Sequence, residues 1–471
     1  MPIIIKSVGV TTYGGYILLI SAIGFISGIS SLGVGFKYKR YFPASADNES
    51  RRKLFYSQFL FQLVSVFFLS LLIVSLNRGI KNWLFANKIE FAILLVPLLL
   101  FSNMFFSQST DYFRYSGRMG YFNFTTVAVP YVNIGIVLIS LYSFSSIDVN
   151  FLVLSQVLAM LLLSLPLMLK IYREIGFYLP AVKVGDLLAD MKLGFPLILS
   201  YVTSFILRSS DRYIIAFFIS VTAVGYYSPA YTLGSLIIFF PMVSGVVLPP
   251  LLSKAVDSGS KHEAQVMVNY TMMGFLLISI PFVMGSYAIS RPLLNLLANA
   301  DVAEKAYLIV PVIAIGTIFY GLNIILSNVL FVQMKTKAMF WVNIMVAIIN
   351  LTLNLVLIHI FRNIIFAAFS ALISYFVSFI VMRRIIANFW KIDFDKKAIL
   401  KSITAAGVML IALLSFSHLF QNNYRFLSIL GQLMFGGAIY LVLLFIFRTF
   451  SNKELDFLKI IFLQWKKQKL M

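Results

Sequence analysis

Residues 305–337 read KAYLIVPVIAIGTIFYGLNIILSNVLFV followed by QMKTK, so 28 residues with a single charge at their start lead into a short basic exit. About 20 predominantly apolar residues suffice to cross the hydrocarbon core as a helix. The stretch therefore predicts a spanning helix with a cationic end. The pattern recurs along the chain, with spans expected at 13–35, 54–76, 91–109, 122–145, 150–171, 193–219, 224–252, 266–290, 305–332, 340–360, 364–386, 402–419 and 426–447. The composition agrees: 60% hydrophobic, 12% charged and a mean hydropathy of +0.93, against about 25% charged residues in a soluble domain. The expected fold class is an all-α polytopic membrane protein, with no soluble domain of useful size between the spans.

The net charge of +21 would suggest a nucleic-acid partner in a soluble protein, but its distribution gives another reading. Of the 38 Lys and Arg, 28 fall on alternate connections (36–53, 110–121, 170–192, 253–265, 333–339, 383–401 and 448–471), and only 8 fall on the opposite set. This is the positive-inside asymmetry. It predicts a cytoplasmic C-terminus, including the basic tail Gln464-Trp465-Lys466-Lys467-Gln468-Lys469, and no nucleic-acid partner. Absence of Cys removes disulfides, thiolate nucleophiles and Cys-ligated metal. The three His (His262, His359, His418) lie on three segments without metal-ligand spacing, so no metal or cofactor is expected.

Orientation from charge puts residues 1–12 outside, where they are too short to span. An internal echo accompanies this: Ser7-Val8 followed by Tyr13 matches Ser220-Val221 followed by Tyr226, and each precedes a long span ending in a basic loop. The second copy is preceded by the span 193–219, the first by six residues. The expectation is that one further helix precedes the first copy upstream of Met1. Two related halves are a common transporter plan.

The spans hold one dense ion cluster, Arg208-Ser209-Ser210-Asp211-Arg212 within 193–219. Each charge there costs roughly 2.5 to 3.5 kcal/mol on an insertion scale, so such residues face a partner or water. Residues three and four apart share a helical face, and Asp211 can offset one Arg, leaving a local excess of one positive charge. Two readings fit. One is an anion-holding wall, with guanidinium groups forked onto phosphate oxygens, Asp211 orienting Arg208, and Arg212 in support. The other is a structural ion pair near the outer helix end, with one Arg snorkelling to headgroups. Residue 208 lies about 22 Å along the helix from residue 193, beyond the midplane. Neutral polar stripes also recur at helical spacing: Gln58, Gln62 and Ser65; Tyr320, Asn323 and Ser327; Asn343, Asn350 and Asn354. They either line a hydrated path and bond sugar hydroxyls or bond neighbouring helices to one another. Pro130, Pro166, Pro196, Pro241, Pro249-Pro250, Pro281 and Pro311 interrupt spans, as suits helices that bend during transport.

Four places together resemble the polysaccharide flippases of the MOP (multidrug/oligosaccharidyl-lipid/polysaccharide) exporter superfamily, the Wzx-type O-antigen translocases. They are Ser31-Leu32-Gly33 leading to Lys39-Arg40-Tyr41; Arg208, Asp211-Arg212 and Gly225-Tyr226 continuing to Ala230-Tyr231; Gln333-Met334-Lys335-Thr336-Lys337; and Ile349-Asn350-Leu351 with Asn354-Leu355, then Ala367-Ala368 and Ser374-Tyr375. Where such proteins commonly have a Pro and Gly turn, this chain has His359-Ile360-Phe361-Arg362-Asn363.

The resemblance implies a plan of fourteen helices, of which the first would be missing here. It implies two pseudo-symmetric lobes around a central cationic cavity, 1–171 and 193–386, joined by a cytoplasmic linker at 172–192. Two extra helices and a basic tail would fill 387–471. The function implied is movement of an undecaprenyl-diphosphate-linked oligosaccharide from the inner to the outer leaflet of the bacterial cell membrane, by alternating access and without catalysis. Membrane lipid and a polysaccharide polymerase complex would be partners, with protons or sodium as coupling ion. The substrate residues expected are Arg208, Asp211, Arg212, Asn323, Asn350 and Asn354.

Two rivals are weighed against this. A drug exporter for organic cations would need carboxylates, whereas Asp211 is the only acid deep in a span and sits beside two Arg. A membrane polymerase would be expected to carry a large outer loop with catalytic Arg, but the longest outer connections here are about 14 residues.

Overall fold

The computed structural model describes residues 2–31, 35–45, 47–76, 92–143, 147–180, 184–416 and 425–449. Leu32-Gly33, the 77–90 connection, His418, positions 420–424 and the basic tail lie outside the described residues. Seventeen α-helices and no strand are described: α1 (Pro2–Val8), α2 (Val10–Ser30), α3 (Gly35–Tyr41), α4 (Asn48–Ser75), α5 (Leu95–Tyr115), α6 (Met119–Ser143), α7 (Val149–Ile175), α8 (Val184–Phe218), α9 (Val221–Gly234), α10 (Phe239–Asp257), α11 (Lys261–Leu297), α12 (Ala300–Ala306), α13 (Ile309–Val332), α14 (Thr336–Phe361), α15 (Ile365–Ala387), α16 (Lys396–Ser415) and α17 (Arg425–Ile446). Helices dominate because a chain in hydrocarbon must satisfy its backbone polar groups internally.

Eleven described segments are long and apolar enough to cross a membrane. The two further expected spans, 91–109 and 193–219, fall on α5 and α8. α8 starts at residue 184, inside the stretch expected to be a linker. One expected span is not continuous. The helix predicted over 224–252 stops at Gly234, passes through a single 3-10 turn at Leu236–Ile238 and restarts as α10. Gly234 sits at the break, where a Cβ would lie 2.6 Å from the Val310 carbonyl oxygen of α13. Elsewhere starts are set by local caps. Asp47, Asp148 and Asp395 accept the backbone N–H of Ser50, Phe151 and Ala398 at 2.7, 2.9 and 3.0 Å. The Ser50 bonds hold the Asp47 carboxyl below its usual range.

The described chain divides into two compact units. The first comprises residues 1–228 and 347–367. One end of it is an aromatic cluster in which Tyr38, Phe42, Phe55, Tyr56, Tyr112 and Phe113 are buried together. Nearby, Arg118 forks onto both Glu174 oxygens at 2.7 and 2.8 Å, a bidentate pair. At the other end of α2 the repeat noted in the sequence meets itself. Thr11 and Thr222 hydroxyls lie 2.8 Å apart, a Cβ on Gly14 would overlap the Val221 carbonyl oxygen, and a Cβ on Gly225 would overlap that of Val10. Small residues at such crossings let backbones approach where lipid offers no hydrophobic drive. The contact pairs Val10-Thr11-x-x-Gly14 with Val221-Thr222-x-x-Gly225. Its register differs by two residues from the Ser7/Ser220 alignment, because backbone approach rather than side-chain identity fixes it. The His359–Asn363 turn also has a role in this unit. Arg362, at φ 48, donates to the Phe218 carbonyl oxygen at the end of α8, and its guanidinium lies 5.4 Å from the Phe218 ring.

The second unit comprises residues 229–346 and 368–471. α13 is its most buried span. Gly316 lets the Leu372 backbone approach, and Gly321 accommodates the Phe275 ring. Tyr440 on α17 lies 2.7 Å from the Ser402 hydroxyl of α16 and donates to the Leu277 carbonyl of α11, also at 2.7 Å. Beside this contact Pro281, Gly285, Met409, Leu413, Leu433 and Gly436 line an apolar groove.

Candidate functional site

α8 carries the ion cluster, and aromatic side chains fasten it to α2. Tyr201 donates to the Gly24 carbonyl at 2.5 Å, and Phe205 stacks on Phe25 with centroids 4.2 Å apart. Tyr213 lies 2.8 Å from Ser21 and donates to the Leu18 carbonyl at 3.0 Å. Tyr201, Phe205, Arg208 and Arg212 are spaced 4, 3 and 4 apart, so rings and guanidinium groups form one helical stripe.

Within the cluster the two arginines differ. Asp211 is 6% exposed and Tyr227 fully buried. The Tyr227 hydroxyl donates to one carboxylate oxygen of Asp211 at 2.6 Å, the Arg212 backbone N–H donates to the other at 2.8 Å, and the Arg212 guanidinium lies 4.0 Å away. Arg212 also donates to the Arg208 carbonyl at 2.7 Å. Asp211 therefore engages Tyr227 and Arg212, not Arg208 as the sequence reading expected. Its position on the helix turns it toward α9. Arg208 is exposed, its Nε reaches only the Ser204 carbonyl at 3.4 Å, and it makes no ion pair among the described residues. The local excess positive charge resides on Arg208.

The three asparagines are buried and do not form one group. Asn354 donates to the Asn350 side-chain oxygen at 3.1 Å in the first unit, and the Asn354 oxygen has no partner. Asn323, in the second unit, donates to the Tyr375 carbonyl at 3.4 Å, and its own oxygen has no partner. Asn343 is exposed. Gln62 joins three helices: it accepts from Gln108 at 2.5 Å and donates to Ser30 at 3.4 Å. A second buried network was not anticipated. Asn133 donates to Gln156 at 2.6 Å and accepts from Ser155 at 2.7 Å, with Tyr16 at 3.5 Å from both amides. Its signal was present as lone amides in otherwise apolar spans. Among the described residues no group of three or more His, Cys, Asp or Glu could hold a metal.

The structure is similar to that of a lipid II flippase, MurJ, in an inward closed conformation (16% identity, TM-score 0.66, covering 93% of this chain and 98% of that one). It is also similar to a multidrug resistance MATE family transporter of the MOP superfamily in an inward-facing conformation (12%, 0.62, 86% and 91%). A third likeness is to the MATE transporter VcmN of Vibrio cholerae (14%, 0.51, 80% and 88%). No curated protein sequence matches the chain. The MatE family model matches residues 196–356, and the model described as polysaccharide biosynthesis protein matches residues 1–256. With that match over more than half its length, on this all-helical membrane fold, the chain belongs to the polysaccharide biosynthesis protein family.

Proposed function

We propose that this protein is a flippase for an undecaprenyl-diphosphate-linked oligosaccharide, an O-antigen or capsule repeat unit. It would carry its substrate from the inner to the outer leaflet of the bacterial cell membrane by alternating access, with the cation-rich face and the C-terminus in the cytoplasm. The carrying observation is Arg208: an exposed guanidinium within a predicted span, with no ion pair among the described residues, on one stripe with Tyr201 and Phe205. An uncompensated guanidinium in a membrane is costly. It is well suited to a phosphate oxygen pair. The apolar groove of the second unit offers a surface to a polyprenyl chain. Asn323, Asn350 and Asn354 have buried amides suited to sugar hydroxyls. The likeness to a lipid II flippase is in keeping with a lipid-linked substrate.

A cation exporter, the reading favoured by the MATE likenesses, needs a carboxylate free to meet its substrate. Asp211, the one acid deep in a predicted span, is engaged by Tyr227 and Arg212.

The test is surface polysaccharide per inserted protein. Arg208→Lys is expected to keep part of the export and Arg208→Ala to lose most of it at unchanged protein level. Normal export by a well-inserted Arg208→Ala variant would overturn the assignment.

A further inference from the structure

Among the basic residues around the aromatic cluster of the first unit, two groups stand out beside Lys37 on α3 and Arg52, which lies over the Tyr178 ring. Arg118 is spent on Glu174, Lys53 pairs with Glu49 at 2.6 Å, and Arg51 donates to the Ser45 carbonyl at 3.0 Å. Lys39, Arg40 and Arg114 are exposed and make no ion pair among the described residues.

Local structure holds this second group in place. Tyr38 and Phe42, four apart, are buried in the cluster, with ring centroids 5.7 Å from Tyr115 for Tyr38 and 5.4 Å from Tyr112 for Phe42. The short helix α3 is thereby anchored, and Lys39 and Arg40 are turned to its outer side. Arg114, in the last turn of α5, rests its guanidinium 5.6 and 5.3 Å from the Tyr115 and Phe122 rings. The charges of Lys39 and Arg114 both reach Asp111, so α3, which also carries Lys37 and Arg40, and the end of α5 share one electrostatic neighbourhood. Tyr38 adds a buried hydroxyl without a hydrogen-bond partner among the described residues.

We propose that Lys39, Arg40 and Arg114 form a docking site for the diphosphate of a lipid-linked substrate on the cation-rich face, occupied before the substrate reaches Arg208. The proposal rests on the flippase reading. A diphosphate matches the site better than a bulk phospholipid, because two adjacent phosphates can engage Lys39, Arg40 and Arg114 together where a single phosphodiester can engage one or two.

The test uses the full chain in phosphatidylcholine nanodiscs, with undecaprenyl diphosphate as probe and phosphatidylglycerol as competitor. The variant Lys39→Gln/Arg40→Gln/Arg114→Gln is expected to bind the probe about tenfold more weakly or worse. Phosphatidylglycerol in large excess should not displace the probe. Unchanged binding by the triple variant, or displacement by phosphatidylglycerol, overturns the docking site. The two readings fail differently: a wild type that binds no probe sinks the flippase reading and the site with it. A triple variant that binds like the wild type sinks the site alone. A monodisperse triple variant with unchanged thermal stability excludes misfolding as the cause of weaker binding.

Discussion

Two arginines four residues apart in α8 have opposite expected phenotypes. Arg212 belongs to a closed network with Asp211 and Tyr227, so this corner is a matter of stability. Tyr227→Phe removes the donor to a buried carboxylate, and the expected cost is about 1 to 2 kcal/mol. A lowered unfolding temperature in detergent would show it; an unchanged one would mean that the 2.6 Å bond contributes nothing. Arg208→Ala deletes an exposed side chain without an ion pair, so its unfolding temperature is expected to stay within error of the wild type while export falls. The sequence made the cluster visible, since three charges in an apolar run stand out. It could not say which arginine Asp211 would meet, because spacing allows both, and the deciding group, Tyr227, lies on the next helix.

At the scale of elements, the ends of most spans were legible to within a few residues, because apolar length sets them. The break at Gly234 was not, since the Val310 backbone that closely approaches it is distant in sequence. The crossing of α2 with α9 was half legible: the echo could be seen, but its register is set by carbonyl contacts at Gly14 and Gly225. This gives a graded prediction. Gly14→Ala and Gly225→Ala each drive a Cβ into backbone and should lower the yield of folded protein strongly. Gly28→Ala meets only the outer part of the Tyr201 ring and should be milder. Expression with size-exclusion profiles ranks them, and equal tolerance of all three would contradict the crossing. The chain has no Cys, so the contact can also be probed directly. Thr11→Cys with Thr222→Cys, replacing hydroxyls 2.8 Å apart, should cross-link under mild oxidant and release on reduction. Failure to cross-link in well-folded protein would show that this pair does not meet in the membrane.

For the whole molecule, the question is which face looks inward, and a substrate assembled on one side of a membrane gives the answer functional weight. The proposed docking residues Lys39, Arg40 and Arg114 all lie on connections assigned to the cation-rich set, as do Arg118, Lys170, Lys335 and Arg383. Several of these cations rest on rings: Lys170 lies 4.1 Å from the Tyr121 ring centroid, Lys335 3.5 Å from that of Phe389, and Arg383 5.5 Å from that of Phe394. Cations seated on aromatic rings suit the interface between headgroups and hydrocarbon. Because translocation of basic loops is disfavoured, the division of 28 against 8 basic residues should hold this face in the cytoplasm. Alkaline phosphatase joined after residue 471 is therefore expected to be inactive, and the same enzyme inserted at 420–424 active. The reverse pattern would put Lys39, Arg40 and Arg114 on the side where the substrate is released, and both the inward-to-outward direction of transport and the docking site would fall together.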